Sequence, residues 1–397
     1  MPPDSTLDLE GVPRASRARV AASAPATAAI TQERAGPGSL HLWFMASALL
    51  LGALVGATAW GVGLEPTESP VEAAAEPLTF GLGDVDLAAG RLISASAAGI
   101  TVVAIAFAGR SFSRSEVAGL LAATLVALDP SLLAYGSLAV PTGVTIAALA
   151  VALACFASPR VAIPWVGALA LGFGAFVDPR VLAWGPVLAL LAVLRGHIYA
   201  SPRHLAIAGT QALVIPAIGA FLHVIAEGMW ASVPVCLAPA SWRLLALDVV
   251  IQPGAGMAAI PNPVTWFAGL GAVLFLGIGG AGFGATRFRL ARANGRVQAR
   301  LVSPFPPVFG RGLWLLLLAV AIPTPQALVL VFALALALGV QDLGKDAPGF
   351  GLTLAAALLL FAGVVLWRAW GAASGTGGAE GVADAMRLVP WAQPSAC

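Results

Sequence analysis

Apolar runs long enough to cross a bilayer recur from Trp43 to Trp367, and short polar breaks separate them. The chain is 59% hydrophobic and only 10% charged, with a mean hydropathy of +0.90. Soluble domains stay near half apolar and carry about 25% charged residues. Lipid is therefore the expected solvent for most of this protein. In hydrocarbon every backbone N–H and C=O must find its partner within the protein, which restricts spanning structure to helices and closed barrels. A spanning helix needs about 20 apolar residues. Eleven runs approach that length: 43–63, 92–109, 117–133, 139–157, 161–177, 181–195, 205–226, 263–286, 312–325, 326–340 and 350–368. The expected fold is an all-α, polytopic bundle of about eleven transmembrane helices.

Proline marks the breaks. It lacks an N–H and disfavours helix in the residue before it, so Asp129-Pro130, Asp178-Pro179 and Pro323-Thr324-Pro325 read as turns between paired helices. Residues 1–40 are rich in Ala, Pro, Ser and Arg without apolar period and read as a disordered cytoplasmic tail. Because the first apolar run begins near Trp43 and is long enough to span, a cleaved signal peptide is not expected. Orientation follows from arginine. With the N-terminus in the cytoplasm, sixteen of the 21 basic residues fall inside and five (Arg91, Arg180, Arg243, Arg368 and Arg387) fall outside or at outer helix ends. The expected location is a plasma membrane, crossed many times. The organisation is a tail (1–40), an N-terminal membrane region (41–226), a C-terminal membrane region (227–370) and an extracytoplasmic tail (371–397). The basic segment 287–311 becomes a cytoplasmic loop beside anionic lipid, read first as a topology anchor.

Motifs of soluble enzymes are missing: no phosphate-binding loop, dinucleotide fingerprint, zinc spacing or nucleophile elbow occurs. Cys155, Cys236 and Cys397 and the four histidines are scattered, so no metal or other cofactor is expected, and no nucleic-acid partner. Asp129 and Asp178, beside prolines at helix ends, read as structural, reaching water or capping the helix that follows. His223 and Glu227, one turn apart, read as a mutual pair. The densest polar stretch runs from Leu64 to Arg91 and holds Glu65, Glu68, Glu72, Glu76, Asp84 and Asp86 before its first basic residue, Arg91. The stated orientation places it outside, together with the loop 227–262, which carries Trp230, Trp242, Arg243 and Asn262.

Three stretches resemble the protein O-mannosyltransferases, membrane glycosyltransferases that use lipid-phosphate sugars. In residues 241–275, Trp242 precedes a polar loop and Asn262-Pro263 is followed by Trp266 at the start of a span. Residues 90–139 are similar to that family's second and third helices, and residues 163–194 to its next hairpin. The chain departs from the family pattern at several points. Where the family has an Asp-Glu pair after the first helix, Leu64-Glu65-Pro66-Thr67-Glu68 stands. The family's His-Pro-Pro segment is absent. Ser137 and Thr142 occupy the places of an Arg and an Asp, and Asp178-Pro179 stands roughly where the family has Lys-Trp.

The resemblance implies a C-type membrane glycosyltransferase bundle. It also implies transfer of mannose from a polyprenyl-phosphate-mannose donor to Ser or Thr hydroxyls of exported acceptor proteins. The base on the acceptor hydroxyl would then be Glu65 or Glu68, with Asp84 or Asp86 behind them. Arg91 would contact the phosphate, with Arg180, Arg243 and Asn262 as further binding residues. Two rivals stand beside this reading: a non-catalytic, lipid-binding member of the same family, and a transporter or structural membrane protein.

Overall fold

A computed structural model describes residues 37–62, 87–158, 164–196, 202–227, 269, 271–273, 287–293, 296–302, 307–322, 327–346 and 348–374. The chain parts into a short unit, residues 1–43, and a large one, residues 44–397. Described residues of the first are only the opening of α1 (Pro37–Val62). The second holds the remainder of α1 and α2 (Leu87–Ser113), α3 (Glu116–Ala127), α4 (Pro130–Ser137), α5 (Pro141–Ala157) and α6 (Pro164–Val177). A 3-10 turn (Pro179–Trp184) leads into α7 (Gly185–Gly196) and then α8 (Pro202–Glu227). Two strands follow, β1 (Arg287–Ala293) and β2 (Arg296–Val302), then α9 (Pro307–Val320), α10 (Leu328–Asp346) and α11 (Pro348–Ser374).

Among the described residues, four helices are long and apolar enough to cross a membrane: His41–Gly61, Leu87–Ser113, Ala206–Ile225 and Gly349–Trp367. The number is five if α3 and α4, bent by 61° at their junction, count as one span. The remaining apolar helices are shorter. Of the eleven expected runs, 263–286 lies almost wholly outside the described residues. Elsewhere a helix occupies each run, but several are too short to be counted as crossings by themselves. The all-α expectation needs one correction: β1 and β2 pair as an antiparallel hairpin within the segment read as a basic loop.

Local chemistry explains the helix ends. Arg114 sits in the left-handed region (φ 59°), and its N–H bonds the carbonyl of Arg110 at 2.7 Å, closing the last turn of α2. Ser115 then caps α3 by accepting from the Ala118 N–H at 3.3 Å. Asp129 and Asp178 cap the elements that follow them, accepting from the N–H of Ser131 (2.9 Å) and Arg180 (3.0 Å), each with proline in the first position. Both aspartates are buried, and a buried carboxylate without such donors would be costly.

Glycine permits the closest helix approaches. A Cβ on Gly99 of α2 would lie 2.6 Å from the carbonyl oxygen of Gly52 on α1, and one on Gly56 would lie 3.1 Å from that of Ala95. Only residues without side chains allow this crossing, which is how apolar helices pack when lipid removes the hydrophobic incentive. α2 also packs on α3 and α5, α5 on α6, and α6 on α8. α10 lies against α3, α2, α9 and α11.

Candidate functional site

One end of the helical body gathers polar groups, and the packing shows which. Ser94, in the second turn of α2, donates to the carbonyl of Val140 at 3.4 Å. A Cβ on Gly90 would touch that of Ala139. The extended link between α4 and α5 therefore lies beside the start of α2. Ile93 and Ala97 of α2 cluster with Val144 and Ala147 of α5 and with Val177, the last residue of α6. His223 Nδ1 donates to the Phe176 carbonyl at 2.7 Å, which brings in the final turns of α8. Arg91, Ser94, Ser137, Thr145, Asp178 and Arg180 thus stand at the end where α1 finishes and α2 begins. The first five of these are buried.

Arg91 is 3% exposed. A guanidinium so enclosed is not an interfacial side chain reaching outward. Arg180 is differently placed: its Nε lies 2.8 and 3.1 Å from the two carboxylate oxygens of Asp178. That ion pair turns Arg180 toward its own cap. His223 is bonded across helices through Nδ1; the side chain of Glu227, its expected partner, lies outside the described residues.

Between α1, α2 and α5 runs an apolar groove of about 760 Å³. Trp60 and Leu92 line it near the Arg91 end, Gly52 and Gly99 line its middle, and Ser111 and Ser158 mark its far end. From Leu92 to Ser111 a helix rises roughly 28 Å at about 1.5 Å per residue, close to the thickness of bilayer hydrocarbon, about 30 Å. Among the described residues, no charged side chain lines it. Ala95, which does, lies one helical turn from Arg91 on the same face of α2. Close glycine packing brings the backbones of α1 and α2 together, so the hollow is walled largely by main chain and small side chains.

Glu65, Glu68, Asp84, Asp86, Arg243 and Asn262 lie outside the described residues, as do Trp242, Pro263 and Trp266. The segment bearing the four acids joins α1 to α2, so its two anchors are at the Arg91 end. Sequence reasoning missed Ser94 and the groove. Ser94 is an unremarkable residue in an apolar run, and a groove depends on how three helices lean together. The small residues at 52, 56, 95 and 99 were the available signal.

No protein-family model, no curated protein and no solved structure matches this chain.

Proposed function

We propose that this is an integral membrane glycosyltransferase of the protein O-mannosyltransferase type. In this reading it is multi-pass in the plasma membrane with about eleven crossings and a cytoplasmic N-terminus, and it uses a polyprenyl-phosphate-mannose donor. The observation that carries the reading is the apolar groove along α2, as long as hydrocarbon is thick, with buried Arg91 next in sequence to Leu92 at one end. A single-chain isoprenoid suits such a groove, and a phosphate suits the arginine at its mouth. The acidic segment that joins α1 to α2 in the sequence would supply the second requirement, a carboxylate.

In the transfer, the oxygen of an acceptor Ser or Thr attacks C1 of the sugar. Its proton passes to Glu65 or Glu68, and the bond from C1 to the phosphate oxygen breaks. The leaving polyprenyl phosphate keeps the electron pair, and Arg91 stabilises the charge it gains. Asp84 and Asp86 are alternative bases. The non-catalytic, lipid-binding reading is favoured by one feature: the segment after α1 lacks adjacent acids.

Reconstituted protein supplied with polyprenyl-phosphate mannose and an acceptor peptide tests this. Wild type should transfer mannose. Arg91→Gln should lower transfer by about 10²-fold or more, and Glu65→Ala with Glu68→Ala should abolish it. Donor binding without transfer by wild type would establish the non-catalytic reading. Absence of both, with solute flux in liposomes, would leave a transporter.

A further inference from the structure

The hairpin of β1 and β2 has two unlike faces. Residues directly opposite in an antiparallel pair share a face, and successive residues alternate. Its register pairs Arg287 with Val302, Arg289 with Arg300, Ala291 with Gln298, and Ala293 with Arg296. These pairs form one face, with four arginines and no aliphatic residue larger than valine. The pairs between them, Phe288 with Leu301, Leu290 with Ala299 and Arg292 with Val297, form the other. Two features of the first face call for an anion. Arg289 and Arg300 are directly opposite, and like charges so placed destabilise a strand pair. In the sequence, no acidic residue occurs between Asp248 and Asp342, so the segment is basic throughout.

We infer that the face bearing Arg287, Arg289, Arg296 and Arg300 binds the phosphates of anionic phospholipid headgroups at the surface of the bilayer that holds the helices. Only residues 303–306 separate Val302 from α9, a reach of about 17 Å at most. The hairpin is therefore tethered beside a helical body whose perimeter is apolar. A headgroup phosphate between Arg289 and Arg300 replaces their repulsion with two charge-assisted hydrogen bonds. The opposite face carries Phe288, Leu290 and Leu301, with Arg292 nearest the turn. The inference rests on membrane residence and is independent of the transferase reading, so loss of mannosyl transfer leaves it intact.

The full chain in nanodiscs tests it. With Cys155, Cys236 and Cys397 replaced by alanine, a donor fluorophore on Ala299→Cys reports energy transfer to an acceptor on lipid headgroups. Transfer should be stronger in a phosphatidylcholine–phosphatidylglycerol mixture than in phosphatidylcholine alone, and high salt should remove the difference. These comparisons need no change in the hairpin's arginines. Replacing Arg287, Arg289, Arg296 and Arg300 by glutamine should weaken the phosphatidylglycerol dependence roughly tenfold or more. A second variant (Arg289→Leu with Leu290→Arg, Arg300→Leu with Leu301→Arg) keeps the charge but divides it between the faces, and should weaken it too. Equal transfer in both lipids would overturn the inference. So would wild-type behaviour in the divided variant, which would make net charge sufficient. Salt-sensitive binding of RNA by the detergent-solubilised chain, lost in the glutamine variant and unmatched by any lipid dependence, would overturn it in favour of nucleic acid.

Discussion

α10 and α11 are consecutive helices of nearly the same apolar character, yet they live in different surroundings. From Leu328 to Leu338, α10 is buried on every side. In α11 only 11% of the most apolar window is buried, and Leu352, Leu360 and Trp367 are each more than 70% exposed. A soluble protein would not present α11 to water in this way, because exposed apolar patches of that size cost solubility. Lipid removes the penalty and makes the two positions nearly equal in solvation. What separates them is packing: α10 contacts helices on several sides, whereas α11 leans mainly on α10. Composition reports the solvent, and contact reports the place.

The sharpest way to break this comparison is truncation. Phe332→Ala in α10 should lower stability by about 3 kcal/mol, toward the lower end for buried Phe, because lipid takes away much of the transfer loss and leaves the packing loss. Leu360→Ala in α11 should change it by less than about 0.5 kcal/mol. Unfolding midpoints in detergent read both, and equal losses would mean that α11 is covered by a partner. Next comes overpacking. Gly99→Leu, beside the carbonyl of Gly52, should cost about 1–3 kcal/mol or more and close the groove. Gly363→Leu in α11, with nothing within 4 Å of its Cβ position, should be silent. A smaller loss than either core change belongs to a cap. Asp178→Asn keeps an acceptor for the Arg180 N–H but removes the charge from the Arg180 pair, at about 1 kcal/mol. A larger loss would mark that pair as part of the site.

Much of the helical body was legible. Apolar runs predicted a series of helices between 43 and 226 and between 312 and 368, and the described residues of those runs are largely helical. The Asp-Pro steps were recognised as caps, because a short acid before proline has few other uses. The hairpin was legible too but went unread. Arg287-Phe-Arg-Leu alternates charged and apolar residues with period two, and Asn294-Gly295 is the dipeptide that two-residue hairpins favour. The weight of arginine drew attention to topology instead. Of the candidate site, Arg91 was read from sequence, whereas its burial and the groove beyond it were not. Both depend on the approach of α1 and α5 to α2.

Sequence by itself determined the solvent and the secondary structure, because hydropathy and proline act through one residue and its near neighbours. Tertiary structure decided which apolar helix is central and which faces outward, and that Arg91 is buried whereas Arg180 reaches the cap Asp178. Those outcomes turn on a few glycines that let backbones touch, and a missing side chain carries no label saying which distant helix will fill the space.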